Sequence, residues 1–363
     1  MLAVLPTQRR PGTATNRRGR RDAGGGAAGD GRDRRRTPAP RRSEASSGIS
    51  WVGWPPVSTP RTLRLPDGVR RVTVETARGP FAALEAMPAA GVAERQPALL
   101  IPGYTGSKED FLPVLGPLAQ AGRRVTAIDM RGQYESPAAA DADGYRLPAL
   151  AADVAMIADT LTGHDGLAAA GGPHRIHLLG HSFGGLVARE LLLAQAAQIG
   201  SLTMMSSGPG ALTGPRAAVL RAVLAELEPV SPGGLAADVK RLWDTLLEPA
   251  AIADGVPADV IDFLRTRMLR SCPTGLWSMG HGLLGCPDRT PALATLGAPL
   301  LVVYGENDDA WAPSIQDEMA QRLSAQRVCI PGAGHSPAVE APETLASTLT
   351  TFWNSVENHQ GRR

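Results

Sequence analysis

The sequence predicts an α/β fold: a mostly parallel sheet covered by helices on both faces, with one helical insertion. Three observations predict it. Short apolar runs suited to fully buried strands alternate with segments of helical spacing. The alternation stops over residues 210–290, where Pro and Gly interrupt helical segments and no strand pattern appears. The chain has 363 residues, 43% hydrophobic and 20% charged, which suits one core plus an insertion.

Val69–Thr76 and Phe81–Met87 read as two strands around a turn at Arg78-Gly79-Pro80. Ala98–Ile101 is a short apolar strand ending in Pro102-Gly103, and Phe111–Ala121 follows with helical spacing. Arg124–Ile128 is the next strand. Tyr145–Leu161 carries Leu147, Leu150, Val154, Ile157 and Leu161 on one helical stripe. Strand Ile176–Leu179, helix Phe183–Ala197 and strand Leu202–Met205 come next. Within 210–290, helical segments are expected at Ala217–Leu227, Leu235–Leu247 and Val256–Met268. Strand Leu300–Tyr304, helix Ser314–Leu323, strand Arg327–Ile330 and helix Pro342–Val356 close the chain. The domains expected are a leader over 1–60, a core made of 61–209 and 291–357, and the insertion 210–290, read as a lid because it separates two chemistry-bearing segments.

Charge divides the chain. Residues 1–50 hold 12 Arg and 4 acids, a balance of +8, which leaves −6 for the remainder of a chain of net charge +2. This leader is rich in Gly and Pro and lacks the apolar residues needed to offset chain entropy, so it is expected to be disordered. An Arg-rich arm also suits nucleic acid or acidic lipid, and nucleic-acid binding would rest on the leader alone. No apolar stretch follows its Arg pairs, and no apolar face supports a transit peptide. No run of about 18 apolar residues exists, which excludes a transmembrane helix. Cys272, Cys286 and Cys329 form no CxxC pair, which excludes a disulfide-stapled or Cys-rich zinc fold and favours a reducing, cytoplasmic location. The oligomeric state is not readable.

The chemistry gathers at strand ends. Strand Ile176–Leu179 runs into Gly180-His181-Ser182-Phe183-Gly184-Gly185 and then a helix. In this G-x-S-x-G elbow a sharp turn lifts the Ser182 hydroxyl clear of the sheet, while Gly180 and Gly184 let strand and helix approach. The helix N-terminus and the Phe183 amide favour developing negative charge. A serine needs a base, and the base an orienting acid. His335, in the loop Pro331-Gly332-Ala333-Gly334-His335-Ser336-Pro337 after a strand, fits best as base. His177 sits along a strand and reads as structural. His181 adjoins the nucleophile in a supporting role, His359 lies in a polar tail, and His281 is weighed as a substrate contact. For the acid, Leu300–Tyr304 ends in Gly305-Glu306-Asn307-Asp308-Asp309. Asp308 is taken as the acid, with Asp309 the alternative. A second oxyanion donor is expected from the Gly-rich loop Pro102-Gly103-Tyr104-Thr105-Gly106-Ser107, at the Tyr104 amide. The same loop lacks the G-x-x-x-x-G-K-[ST] spacing of a phosphate cradle.

Together these segments resemble the α/β-hydrolase family over residues 61–357. Asp129-Met130-Arg131-Gly132-Gln133-Tyr134-Glu135-Ser136 also looks like that family's D-x-R-G-x-G-x-S loop, with Tyr134 in place of the second Gly. Pro102-Gly103 stands where the family often has His-Gly. The resemblance implies an eight-stranded sheet, a helical lid after the sixth strand, and a serine hydrolase acting on an ester or thioester of a small, apolar substrate. A Ser nucleophile argues against the dehalogenase and epoxide-hydrolase branches. Because the base must be neutral, activity is expected to rise through about pH 6–7. No metal or organic cofactor is implied. Trp243, Phe263, Leu276, Trp277, Met279, Leu283 and Leu284 either line the pocket or pack the lid onto the core. No clustered Arg there points to a phosphorylated or carboxylated substrate. An acyltransferase, or a cofactor-free perhydrolase or haloperoxidase-like enzyme, would use the same groups. A non-catalytic binding protein would be expected to lack one of them.

Overall fold

A computed structural model describes residues 58–163, 175–194, 198–227 and 234–361. Eight strands form one sheet: β1 (Val69–Thr76), β2 (Gly79–Ala86), β3 (Arg95–Ile101), β4 (Arg123–Ile128), β5 (Ile176–His181), β6 (Ile199–Met205), β7 (Leu300–Gly305) and β8 (Gln326–Ile330). Their spatial order is β1-β2-β4-β3-β5-β6-β7-β8. β1 and β2 run antiparallel to their neighbours, and all later pairings are parallel. The β1–β2 hairpin pairs Thr76 with Gly79, so its turn is Ala77-Arg78 and β2 starts two residues before the expected Phe81.

The helices are α1 (Leu112–Gln120), α2 (Leu147–Thr162), α3 (Phe183–Leu193), α4 (Gly214–Glu226), α5 (Gly234–Leu242), α6 (Glu248–Ala253), α7 (Ala258–Arg270), α8 (Pro273–Gly285), α9 (Thr290–Ala294), α10 (Pro313–Leu323), α11 (Pro337–Glu340) and α12 (Pro342–Gln360). The strands are apolar on both faces because both are covered. Along β3, Leu99 and Ile101 face one core with Val154 and Ile157 of α2 and Leu186 of α3. Ala98 and Leu100 face the other, with Leu115 of α1 and Leu349, Phe352 and Trp353 of α12. This two-residue alternation divides one strand between two cores.

At the amino ends of the central strands, Arg123 of β4 is fully buried and ion-paired to Glu357 of α12. Its guanidinium also donates to the Gln96 carbonyl at 2.8 Å and to Asn354 at 2.6 Å. His177 bonds Ser201 at 2.7 Å and Glu357 at 3.1 Å and stacks on Trp353. His177 is thus a structural histidine that helps clamp α12 to the sheet.

The described part of residues 210–290 is entirely helical or irregular, without a strand. α4, α5 and α7 correspond to the three expected segments, and α5 continues through a π-helical turn, Trp243–Leu247. α8 was not expected. Its glycines discourage a helix in isolation, yet they permit close packing. A Cβ at Gly275 would meet the Tyr145 ring at 2.9 Å, and one at Gly280 would meet Leu224 of α4 at 2.8 Å.

The leader lies outside the described residues up to 57, as do His164, His174 and the end of the expected helix 183–197. Residues 58–60, the end of the expected leader, are described. Pro60 is buried, and the Ser58 carbonyl accepts a 2.7 Å hydrogen bond from Arg267 of α7. These residues are part of the packed molecule because a buried arginine needs their carbonyl as a partner.

Candidate active site

The carboxyl ends of β3, β5, β7 and β8 meet at one rim of the sheet, where open α/β sheets bind ligands. β5 delivers Ser182. Its φ is 53° and ψ −118°, a left-handed conformation that costs a non-Gly residue about 1–3 kcal/mol. Close approach to the neighbouring backbone enforces that turn. A Cβ on Gly180 would lie 2.3 Å from the Gly184 carbonyl oxygen, and one on Gly184 would lie 2.4 Å from that of Pro102. Only glycine fits at either position.

β7 delivers Asp308 and β8 delivers His335. The two loops are stitched together, with the Asn307 amide donating to the Ala333 carbonyl at 2.8 Å and the Glu306 amide to that of Ile330 at 3.0 Å. The His335 Nδ1–H donates to Asp308 Oδ1 at 2.9 Å, which fixes the tautomer and leaves Nε2 as the basic nitrogen. Burial alone would raise the Asp308 pKa. Hydrogen bonds from His335, the Ala310 amide and Gln316 hold it below the ordinary value instead. Asp309 does not reach the imidazole. It is about half exposed and pairs with Arg216 at 2.7 Å.

Three further residues hold His335. Glu340 accepts from the amides on either side of it, Gly334 and Ser336, the latter at 3.0 Å. Gln316 is fully buried and fixes the second oxygen of Asp308 at 2.8 Å. His181 Nε2–H donates to the His335 carbonyl at 2.8 Å. Burial, with the neighbouring His335 and Arg216 charges adding to it, pushes the His181 pKa down to about 3, so its ring is a neutral donor at ordinary pH.

The directions of two backbone amides in the loops at this rim follow from the carbonyls beside them. In a trans peptide the N–H points opposite to the C=O. Gln133 Nε2 donates to the Gly103 carbonyl at 2.7 Å, so the Tyr104 amide points the other way. Ser207 Oγ–H donates to the Ser182 carbonyl at 2.8 Å, which sets the Phe183 amide likewise. Among the described residues neither amide has a hydrogen-bond partner. The Tyr104 hydroxyl donates to the Leu276 carbonyl of α8 at 2.7 Å, tying this loop to the insertion.

The loop Asp129–Ser136 supports that arrangement from below. Asp129, fully buried, accepts from the Lys108 amide and ammonium, both at 2.8 Å. Tyr134 keeps a positive φ of 36° where glycine would be at ease. Its ring packs edge-on against Phe263 at 5.6 Å and lies under the Lys108 ammonium, contacts that offset the strain.

Ser182, His335, His181 and Tyr104 all line one cavity of about 130 Å³. Its remaining wall is mostly apolar and comes largely from α4, through Val219, Leu220 and Val223, joined by Leu227, Leu242, Leu247 and Met268. Of the seven large insertion residues weighed from sequence, only Leu283 lines it. Trp243, Leu276 and Met279 are buried in packing, and His281 is exposed, its ring against Trp277. Sequence reasoning missed Gln133, Gln316, Glu340 and Arg216. Each acts on a partner distant in the chain or in a loop without a pattern of its own. Only Gln133 carried a signal, its place inside the Asp129–Ser136 loop.

The fold and these groups define an α/β hydrolase architecture. The chain belongs to the alpha/beta hydrolase family, whose profile matches residues 98–348. It is 31% identical over 272 residues, 72% of this chain and 93% of the other, to the protein named "Putative carbamate hydrolase RutD" in Variovorax paradoxus. It is 29% identical over 233 residues, 63% of this chain and 84% of the other, to a pimeloyl-acyl-carrier-protein methyl ester esterase of Aeromonas hydrophila. Among solved structures, an enol-lactonase from Burkholderia xenovorans superposes with a TM-score of 0.60 at 20% identity, covering 78% of this chain and 100% of that one. Among the described residues no helix is long and apolar enough to cross a membrane.

Proposed function

We propose that this chain is a serine hydrolase that cleaves an ester or thioester of a small substrate through an acyl-enzyme on Ser182. The observation that carries the reading is the cavity shared by Ser182 and an imidazole whose Nδ1 is committed to Asp308. That leaves Nε2 to take the serine proton as Ser182 attacks the acyl carbonyl. The Tyr104 and Phe183 amides stabilise the oxyanion, each contributing about 2.7–4 kcal/mol. His335 then protonates the leaving group, activates a water and lets it release the acyl group. The relatives support ester chemistry, since the Aeromonas protein is named as a methyl ester esterase.

Residues 210–290 act as a lid in this reading. α4 walls the cavity and α8 holds the Tyr104 hydroxyl, so the insertion contacts both the cavity and the oxyanion loop. A cavity of about 130 Å³ suits an acyl group near the size of benzene, which fills an engineered site of about 150 Å³. A panel of chromogenic esters graded by acyl length tests this. Turnover is expected to be highest for short acyl chains, and Ser182→Ala is expected to lower kcat by about 10⁶-fold. Full turnover by Ser182→Ala would end the proposal.

A further inference from the structure

The cavity contains one charge that ester hydrolysis does not use. Arg216, in the first turn of α4, lines it beside Ser182 and His335. Among the described residues every other side chain on that wall is apolar, a hydroxyl or a histidine. An arginine in the first turn opposes the helix dipole, so helix stability does not explain it. Its side chain is only 14% exposed. Among the described residues its partner is one ion pair, Nη2 to Asp309 Oδ1 at 2.7 Å, and its buried Nε makes no hydrogen bond. A buried guanidinium N–H without an acceptor is costly, and a partly exposed carboxylate leaves the charge incompletely neutralised.

We propose that Arg216 is an anion subsite that selects substrates bearing a carboxylate a few bonds from the scissile ester, a reading that rests on the proposed ester hydrolysis. The rest of the wall receives an apolar spacer, as Leu220 and Val223 on the same helix provide. Asp309 has two roles: it holds the guanidinium fork in place and it limits the subsite to a monoanion. Asp309 cancels only part of the Arg216 charge, and what remains compensates a single carboxylate but not a dianionic phosphate in an apolar cavity. The chemical class is therefore the monoester of a short dicarboxylic acid.

The test compares monomethyl glutarate with methyl glutaramate, its neutral amide isostere, and reads the ratio of their kcat/KM values. The wild type is expected to favour the carboxylate by on the order of 10- to 100-fold, the range of a charge-assisted hydrogen bond. Arg216→Gln is expected to bring the ratio to one or below, Arg216→Lys to recover part of it, and Asp309→Asn to raise it. A wild-type ratio of one, or a preference that survives Arg216→Gln, overturns the subsite. Calorimetry on the wild type keeps the idea testable should the variants fail to fold. 5-Oxohexanoate, the unhydrolysable ketone analogue of monomethyl glutarate, must bind at least tenfold more tightly than its neutral amide, 5-oxohexanamide, and equal affinity refutes the proposal. The same measurement separates the two readings. If neither ester turns over while 5-oxohexanoate binding depends on Arg216, ester hydrolysis has failed and the subsite stands. If both esters turn over equally, the reverse holds.

Discussion

Asp308 and Asp309 are adjacent, and their surroundings give them opposite tasks. Asp308 is buried and bonded to His335, whereas Asp309 faces water and Arg216. Asp308→Asn is expected to lower kcat/KM for a neutral chromogenic ester by about 10⁴-fold, since an amide no longer enforces the Nδ1–H tautomer. Asp309→Asn is expected to cost less than about tenfold on the same ester, and equal losses would mean the acid has been misassigned. Gln133 acts through the Gly103 peptide. Gln133→Ala is expected to lower kcat by about 10–100-fold with KM little changed, less than the 10²–10³ of losing an oxyanion donor outright. Unchanged kcat would show that the Tyr104 amide needs no such anchor. Ser182 and His335 were legible because each stands in a glycine-bearing loop directly after a strand. Gln316 and Glu340 were not, because a side chain that grips a carboxylate oxygen or loop amides leaves no local pattern, and Gln133 showed only its place inside the Asp129–Ser136 loop. Arg216 was missed because a search for clusters passes over one arginine whose partner is 93 residues away.

At the scale of elements, the parallel strands were readable because burial on both faces leaves short continuous apolar runs. Their ends were less so, since β5 extends through Gly180 and His181 by pairing with β6, which no propensity foretells. α8 escaped notice for the converse reason, its glycines being selected for contact with Tyr145 and Leu224 at the expense of helix propensity. The clamp of α12 on the sheet yields a stability prediction. Glu357→Ala leaves the buried Arg123 guanidinium without its carboxylate, and the expected loss is about 3–5 kcal/mol in chemical denaturation. The clamp lies at the amino ends of the central strands, opposite the carboxyl ends that form the cavity, so kcat of the folded fraction is expected to stay within about twofold. A loss below about 1 kcal/mol would show that Asn354 and the Gln96 carbonyl suffice for Arg123.

For the whole molecule, the site is assembled from segments more than 150 residues apart, so its chemistry and its stability are linked. His181 shows the linkage. Its folded pKa of about 3 lies below the ordinary 6.5, so between those values the unfolded chain holds a proton that the folded one rejects. Stability therefore falls as pH drops from about 6.5 towards 3. His181→Gln removes that proton uptake, and its melting temperature is expected to decline less steeply than the wild type's across that window. Parallel declines would show that this histidine is solvated in the native state. The central claim is that Ser182 is a nucleophile activated by His335. It is tested most directly by mass spectrometry of the protein after reaction with a fluorophosphonate. One adduct is expected, mapped to Ser182 and lost or slowed by several orders of magnitude in His335→Ala. An adduct on another residue, or a rate indifferent to His335, would contradict it.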